Sequence, residues 1–318
     1  MLTYYQSRVA LGSIADLALV SDADEAVVNE YFRLLWLALL KFERRCSRFL
    51  PASELSQFNR DAGLKRQISP EFRKALAAAA AMATTTDGLY NPFILPALQR
   101  AGYVHSFVSA HKDDVVDDFS DRSVPSPDGL ELGGDWARIP YGSAVDLGGC
   151  GKGFAGDMLA DMAAEFPALQ GFWFSLGGDV VMGGRSETGE HWSVDIEDLR
   201  EGHSGMAGRA KAPGAARFAV ATSSITLRKG VHNGQTWHHI IDPRTNKPAC
   251  ATTATASVCS GRLLEADVFA SCAIILSPDE SLHFMKARNA QGLLLQGVDG
   301  SLTEWGCVRS HGKVDNKR

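Results

Sequence analysis

The chain lacks any close pairing of its six cysteines. Cys46, Cys150, Cys250, Cys259, Cys272 and Cys307 form no CxxC, and several lie in apolar stretches. That predicts reduced, mostly buried thiols and a cytoplasmic setting. It also lacks an excess of basic residues. The 32 Lys and Arg stand against 37 Asp and Glu, for a net charge of -5 and a pI near 6.0. This argues against a nucleic-acid partner, so any basic site is local. There is no long apolar run: LLWLALL at 34–40 is too short to span a bilayer, and no transmembrane segment is expected. MLTYYQSRVALGSIADLALV has no basic region leading into an apolar run and a cleavage site, and no lipobox-like cysteine. The expected location is therefore the cytoplasm. What remains is ordinary for a protein with a real core: 318 residues, 45% hydrophobic and 22% charged.

The chain is organised around VDLGGCGKGFAGD at 145–157. Glycine pairs flank Lys152, and Phe154, Met158, Leu159, Met162 and Phe166 follow at helical spacing. A glycine-rich turn running into a helix N-terminus leaves free N–H groups and a positive dipole end, to which Lys152 adds a full charge. A phosphate suits such a place; an ordinary glycine-rich loop fits it equally well. The spacing is not that of a Walker motif, and no parallel βαβ pattern makes it a dinucleotide fingerprint.

Elsewhere, residues 8–20 read as a strand. A helix is expected from about Ala23 to Cys46, capped by Ser21 and Asp22, with Val28, Phe32, Leu35, Leu39 and Phe42 facing the core. A short helical turn begins near Ser53 and ends at Asn59, read as a C-cap. Ser69-Pro70-Glu71 starts another helix. DGLYNPFILPAL at 87–98 has two prolines and reads as an irregular stretch that lines a pocket. Residues 105–140 read as an acidic surface hairpin or loop whose aspartates match no EF-hand spacing, and 200–217 as an exposed Gly/Ala/Pro-rich loop. Strands are expected at 171–184, broken by Gly-Gly-Asp, at 191–196, in RFAVATSS, in TWHHII and in TTATASVCS. A helix over 263–278 is closed by Pro278. Without regular βαβ spacing the class is α+β, in one domain over 1–318.

Two residues carry chemistry. Asp267 sits in an apolar helix, where a carboxylate is costly unless paired or bound to a cation. Ser271, four residues on, shares its face, so the two offer hard oxygen ligands of the kind Mg²⁺ prefers. The alternative is an aspartate that pairs with an arginine or caps a neighbouring backbone. His239 precedes the Asp242-Pro243 turn at a strand end, suited to a phosphate contact or a proton transfer, or else to the core. His238 points the opposite way.

The motifs VDLGGCGKGFAGD, SLGGDVVMGG, VATSS, HHIIDPRTNKPA and EADVFASCAIIL occur in the order and spacing of the ApbE family of FAD:protein FMN transferases. SELSQFN and GLYNPFILPAL resemble its first two motifs, and ALGS at 10–13 resembles its N-terminal MGT. The resemblance covers nearly the whole chain. It implies a T-fold-like α+β architecture, a mixed or antiparallel sheet with packed helices. It also implies an enzyme that binds FAD in a cleft with Mg²⁺ at the pyrophosphate, transfers FMN to a threonine or serine hydroxyl of an acceptor protein and releases AMP. Residue by residue, the metal falls to Asp267, Ser271 and the main-chain carbonyl of Gly151. FAD contacts fall to Lys152, Leu11, Asn59, Leu89, Tyr90, Asn91 and His239. His239 and Asp267 are the catalytic candidates. The chain departs from the family pattern in having Ser271 for Thr, Tyr90-Asn91-Pro92 for FDP, Thr222-Ser223-Ser224 for TSG, Asn246 for the glycine after DPRT, and Leu11-Gly12-Ser13 for MGT. The same site with water as acceptor would be an FAD pyrophosphatase; without catalysis it would be an FAD-binding protein.

Overall fold

The stretch expected to be one strand at 8–20 is a hairpin. Leu2–Ala10 and Ser13–Ser21 pair antiparallel about Leu11 and Gly12, whose φ angles are 54° and 64°. Two successive left-handed residues make the tight turn that joins twisted strands. A leucine in the first of them hides that turn from any reading of sequence. The computed structural model describes residues 1–105, 117–200, 202–232 and 234–311.

The hairpin begins an eight-stranded sheet. Its order is Leu2–Ala10, Ser13–Ser21, Leu169–Leu176, Asp179–Gly184, Phe218–Ser224, Thr253–Ser260, Gly292–Gly297 and Leu302–Gly306. Every pairing is antiparallel. The Gly-Gly-Asp break is a second hairpin, turned on Gly177 and Gly178 at φ 68° and 95°.

Seven helices accompany the sheet among the described residues. α1 (Glu25–Cys46) buries Val28, Phe32, Leu35, Leu39 and Phe42, the face its periodicity marks. Its N-cap is Asp24, without a side-chain bond; the Ser21 hydroxyl instead accepts from the Ala23 amide. α2 (Glu54–Arg60) and α3 (Pro70–Thr85) start at capping serines, Ser53 and Ser69. α4 (Leu95–Ala101) corrects the expectation of no helix within 87–98. Pro96 lies in its first turn, where a missing N–H costs nothing. α5 (Gly151–Ala164) and α6 (Leu263–Ile275) lie side by side on one face of the sheet, with α1 against α5. α7 (Pro278–Ala287) opens with a capping box between Ser277 and Glu280, so Pro278 starts a helix as well as ending one.

The opposite face of the sheet is covered by a smaller one. Val180, Met182, Phe218 and Val220 meet Ile196, Ala207, Ala210 and Val308 from the strands Ser193–Glu197, Met206–Lys211 and Val308–Ser310. This corrects the reading of 200–217 as a loop, because Met206–Lys211 is the central strand of that sheet. Its buried Ala207 and Ala210, with Ala212 just beyond, give the close approach between sheets that larger side chains would block. In the acidic stretch, 106–116 lie outside the described residues. The rest is not wholly surface loop: Trp136–Arg138 pairs with Glu131–Leu132 on one side and with Arg66–Gln67 on the other, and Phe119, Ala137 and Ile139 are buried. The α+β class stands.

One buried carboxylate joins the two central helices. Asp157 of α5 accepts from the amides of Leu263 (2.9 Å) and Leu264 (3.2 Å) and from Arg262 Nε (3.1 Å). It caps α6, whose own N-cap residue, Arg262, supplies no side-chain cap. Asp157→Ala strands two buried amides and is expected to cost about 2–4 kcal/mol, judged from charge-assisted bonds and cap losses. A urea titration with an unchanged midpoint would refute this account.

Candidate active site

The loop before α5 is fastened on three sides. Asp146 and Arg48, both buried, pair at 3.1 Å, and the second carboxylate oxygen accepts from the Gly148 amide at 2.9 Å. The Asn59 amide brackets Val145, donating to its carbonyl (2.8 Å) and accepting from its N–H (2.7 Å). Asn59 therefore lies fully buried in α2 and ties the loop down, rather than capping its own helix. Tyr90 donates to Cys150 Sγ at 3.0 Å. Burial pushes the Cys150 thiol up to about 12, which makes it a packing group and not a nucleophile.

From this fixed start α5 is pressed onto α6. A Cβ on Gly153 would lie 2.6 Å from the Leu264 Cα, and one on Gly156 would lie 2.4 Å from Leu263 Cδ2. These two glycines serve helix contact. The contact brings Asp267 of α6 to the α5 N-terminus, where its Oδ2 accepts from the Gly153 amide at 3.0 Å. In the protein alone, the anion met by this amide is a side chain of its own.

Lys152 completes a buried triad. Its Nζ lies 2.5 Å from Asp179 Oδ2 and 3.8 Å from Asp267 Oδ1, and Asp179 Oδ1 accepts from the Thr222 amide at 3.1 Å. Burial alone would lower the Lys152 pKa, but Asp179 and Asp267 hold it above its ordinary value. Burial pushes Asp267 up to about 6; Lys152 opposes that rise and the like-charged Asp179 adds to it. Two carboxylates thus share the Lys152 ammonium, and the Arg228 cation also acts on Asp267. Ser271, one turn along α6, exchanges a hydrogen bond with Ser223 at 2.9 Å, so hydroxyl oxygens stand beside the carboxylates. Gly151 opens α5 next to Lys152. Among the described residues no three His, Cys, Asp or Glu come together to hold a metal. A cation here would rest on few carboxylates, with hydroxyl, carbonyl and substrate oxygens, which suits Mg²⁺.

His239 is held by the Arg228 main chain. Its amide (3.1 Å) and Nδ1 (3.4 Å) both meet the Arg228 carbonyl. Burial, then the cations of Arg228 and Lys152, push its pKa down to about 3, so the imidazole is neutral at neutral pH. His238 turns away, to the Ala249 carbonyl (3.1 Å). The following turn closes at Asn246, whose amide bonds to the Asp242 carbonyl (2.8 Å) and whose φ is 56°, the left-handed conformation expected of it. Around Gly177, the Ser13 hydroxyl and the Lys152 stem come together, which sets the Leu11 turn near the triad.

Leu89 and Asn91 stand apart. With Val124, Pro127 and Arg244 they line a cavity of about 240 Å³. Leu89 also borders one of about 440 Å³ beside α7. Asn91 donates to the Pro125 carbonyl (3.0 Å) and accepts from the Phe93 amide (2.9 Å). An ionised aspartate could make only the second of these bonds.

The sequence model of the ApbE family matches residues 6–294. The chain belongs to the ApbE family. A protein of Haemophilus influenzae named FAD:protein FMN transferase is 24% identical over 277 residues, 84% of this chain and 79% of that one. One of the same name from Treponema pallidum is 25% identical over 300 residues, 89% and 81% of the two chains. The fold matches an ApbE protein from Thermotoga maritima (TM-score 0.80, 20% identity, 95% and 96% of the two chains). It also matches the flavinyl transferase ApbE of Pseudomonas stutzeri (0.78, 18%, 95% and 94%).

Of the positions singled out in this ApbE chain from sequence, Gly151, Lys152, Asp267 and Ser271 converge, with His239 linked through Arg228. Asn59 and Tyr90 support the loop from below. Sequence reasoning missed four participants. Asp179 had a signal in the repeated Gly-Gly-Asp and Asp146 in its place within 145–157; Arg48 and Arg228 had none.

Proposed function

We propose that this ApbE chain transfers FMN from FAD to a threonine or serine hydroxyl of an acceptor protein, with Mg²⁺ as cofactor and AMP as the released product. The observation that carries the reading is the buried triad of Lys152, Asp179 and Asp267 at the α5 N-terminus, with the Ser271 and Ser223 hydroxyls beside it. Phosphoryl-type transfer needs charge neutralisation and positioning more than covalent help. Asp267 and Ser271, with the Gly151 carbonyl, would hold Mg²⁺. The ion's role would be to offset pyrophosphate charge. Lys152 faces the same phosphates. Leu11, Leu89 and Asn91, with the loop held by Asn59 and Tyr90, shape the FAD cleft. The acceptor oxygen attacks the FMN phosphorus; the bond to the bridging oxygen breaks, and its electron pair leaves on AMP. The hydroxyl proton passes to a nearby base, for which the neutral His239 ring and Asp267 are the available groups. The curated relatives' names support this reading.

Purified protein incubated with FAD is expected to release AMP only with Mg²⁺ present, and to place FMN on an added acceptor. Quantifying AMP, FMN and intact FAD by mass, with and without EDTA, tests this. Stoichiometric free FMN would replace the transferase reading with a pyrophosphatase. FAD bound but intact, with acceptor and Mg²⁺ present, would leave a binding protein.

A further inference from the structure

Two of the six free cysteines sit either side of one strand. Cys259 lies in Thr253–Ser260 and Cys307 follows Leu302–Gly306, with Gly292–Gly297 running between those strands. Gln291 ties both main chains. Its amide donates to the Cys259 carbonyl at 2.7 Å, and its carbonyl accepts from the Cys307 amide at 3.0 Å. Cys259 stands directly opposite Gly292, and such positions on paired strands lie about 4.5–5.5 Å apart at Cβ. Gly292 has no side chain to fill its place. The Cys307 sulfur fills it instead, 2.8 Å from where a Gly292 Cβ would stand. Both cysteines therefore share the face that the smaller sheet covers, and a hydrogen bond joins their thiols.

Cys307 is also a corner of the chain. Gly306, at φ 76°, turns the backbone out of the main sheet. The Cys307 carbonyl then accepts from the Lys211 amide at 3.3 Å, and Val308–Ser310 joins the smaller sheet. The two thiols differ as attacking and resolving groups do. Cys307 is half-buried and Cys259 wholly buried. The hydrogen bond from Cys259, with the Arg309 cation in support, lowers the Cys307 pKa below a thiol's ordinary value. Donating that bond, and burial, hold Cys259 above its own. Cys307 is thus the thiol that more readily becomes a nucleophilic thiolate.

We propose that Cys259 and Cys307 are an oxidation site for hydrogen peroxide, closing to a disulfide that staples the corner between the two sheets. The Cys307 thiolate attacks one peroxide oxygen. The O–O bond breaks, and hydroxide leaves and takes up the thiol proton as water. The Cys259 sulfur then attacks the sulfur of the Cys307 sulfenic acid. An S–S bond forms, the S–O bond breaks, and the second oxygen leaves with the Cys259 proton as water. The two sulfurs give up the two electrons that reduce the peroxide. The bridge joins residues 259 and 307 and restricts the unfolded chain more than the folded one, so it stabilises the fold. The resting protein keeps both thiols reduced, and the modification is independent of the FMN-transfer reading.

The full chain carrying Cys250→Ser, which removes an exposed thiol, tests this. It is treated with hydrogen peroxide, alkylated, digested without reductant and analysed by mass, with thermal unfolding followed alongside. The expected product is a peptide pair joined through Cys259 and Cys307. Tm should rise by roughly 3–10 °C, the scale of a cross-link that fits the native fold, and dithiothreitol should reverse both changes. Cys307→Ser, a small change at a half-buried position, should show neither. Cys259→Ser should leave Cys307 as a sulfenic acid that dimedone labels. Peroxide treatment that yields no joined pair would overturn the inference. So would a joined pair with Tm unchanged or lowered, since the bridge would then not fit the native corner, and so would an equal rise in Tm in Cys307→Ser.

Discussion

Asp267→Asn is expected to abolish Mg²⁺-dependent AMP release while leaving the ligand-free protein at least as stable as the native chain at neutral pH. The amide keeps an acceptor for the Gly153 N–H, the one hydrogen bond Asp267 makes at 3.0 Å. What it removes is a buried negative charge facing Asp179, and that charge is unfavourable in the protein alone. Burial lifts the Asp267 pKa from 3.8 to about 6. A carboxyl whose pKa rises on folding holds its proton more tightly folded than unfolded. Its contribution therefore favours the folded state at low pH and is lost as pH climbs from about 4 to about 6. Native stability relative to Asp267→Asn should fall across that window and level off above it. Mg²⁺ must displace the same proton, so the rise in Tm on adding Mg²⁺ should be larger near pH 7.5 than near pH 5 and absent in the variant. The loss of metal charge at the pyrophosphate should slow transfer by roughly 1,000-fold or more, several kcal/mol of barrier. Transfer by Asp267→Asn within tenfold of native, or parallel Tm profiles against pH, would contradict the assignment.

The parts of this molecule legible in sequence are those set by local rules. The α1 core face, the capping serines of α2 and α3 and the left-handed Asn246 all follow from periodicity or single-residue chemistry. Asp267 announced itself because a carboxylate in an apolar helix needs a reason. Illegible parts were set by partners far along the chain. Asn59 looked like a helix end because its true partner, Val145, lies 86 residues away. Met206–Lys211 looked like a loop because its alanines gain meaning only against the sheet they cover. The site shows the same division: Lys152, Asp267 and Ser271 could be singled out from motifs, whereas the Arg48–Asp146 pair and Arg228 needed the fold.

The glycine-rich stretch illustrates this most sharply, since its glycines are not equivalent. Gly151 has room for a Cβ, which would meet the Phe42 ring at 3.9 Å, an ordinary van der Waals contact. Gly153, two residues on, has none, and the obstacle is backbone: the Leu264 Cα at 2.6 Å, the Leu263 carbonyl at 2.8 Å and the Leu264 amide at 2.9 Å. Backbone cannot swing aside as a side-chain tip can. Gly153→Ala is therefore expected to push α5 off α6, at a cost of about 3 kcal/mol or more, the upper range for overpacking a core. The shift would also part the Gly153 amide from Asp267 and draw Lys152 away from Asp179, so activity should fall together with stability. Gly151→Ala should be tolerated and slightly stabilising, since alanine favours the first turn of a helix by up to about 1 kcal/mol over glycine. Its carbonyl would remain available to the proposed cation. Thermal unfolding and AMP release for the two variants side by side decide the matter. If phosphate-loop flexibility were the reason for these glycines, both variants should lose activity with little change in Tm. If helix contact is the reason, only Gly153→Ala should fail, and it should fail in both measurements.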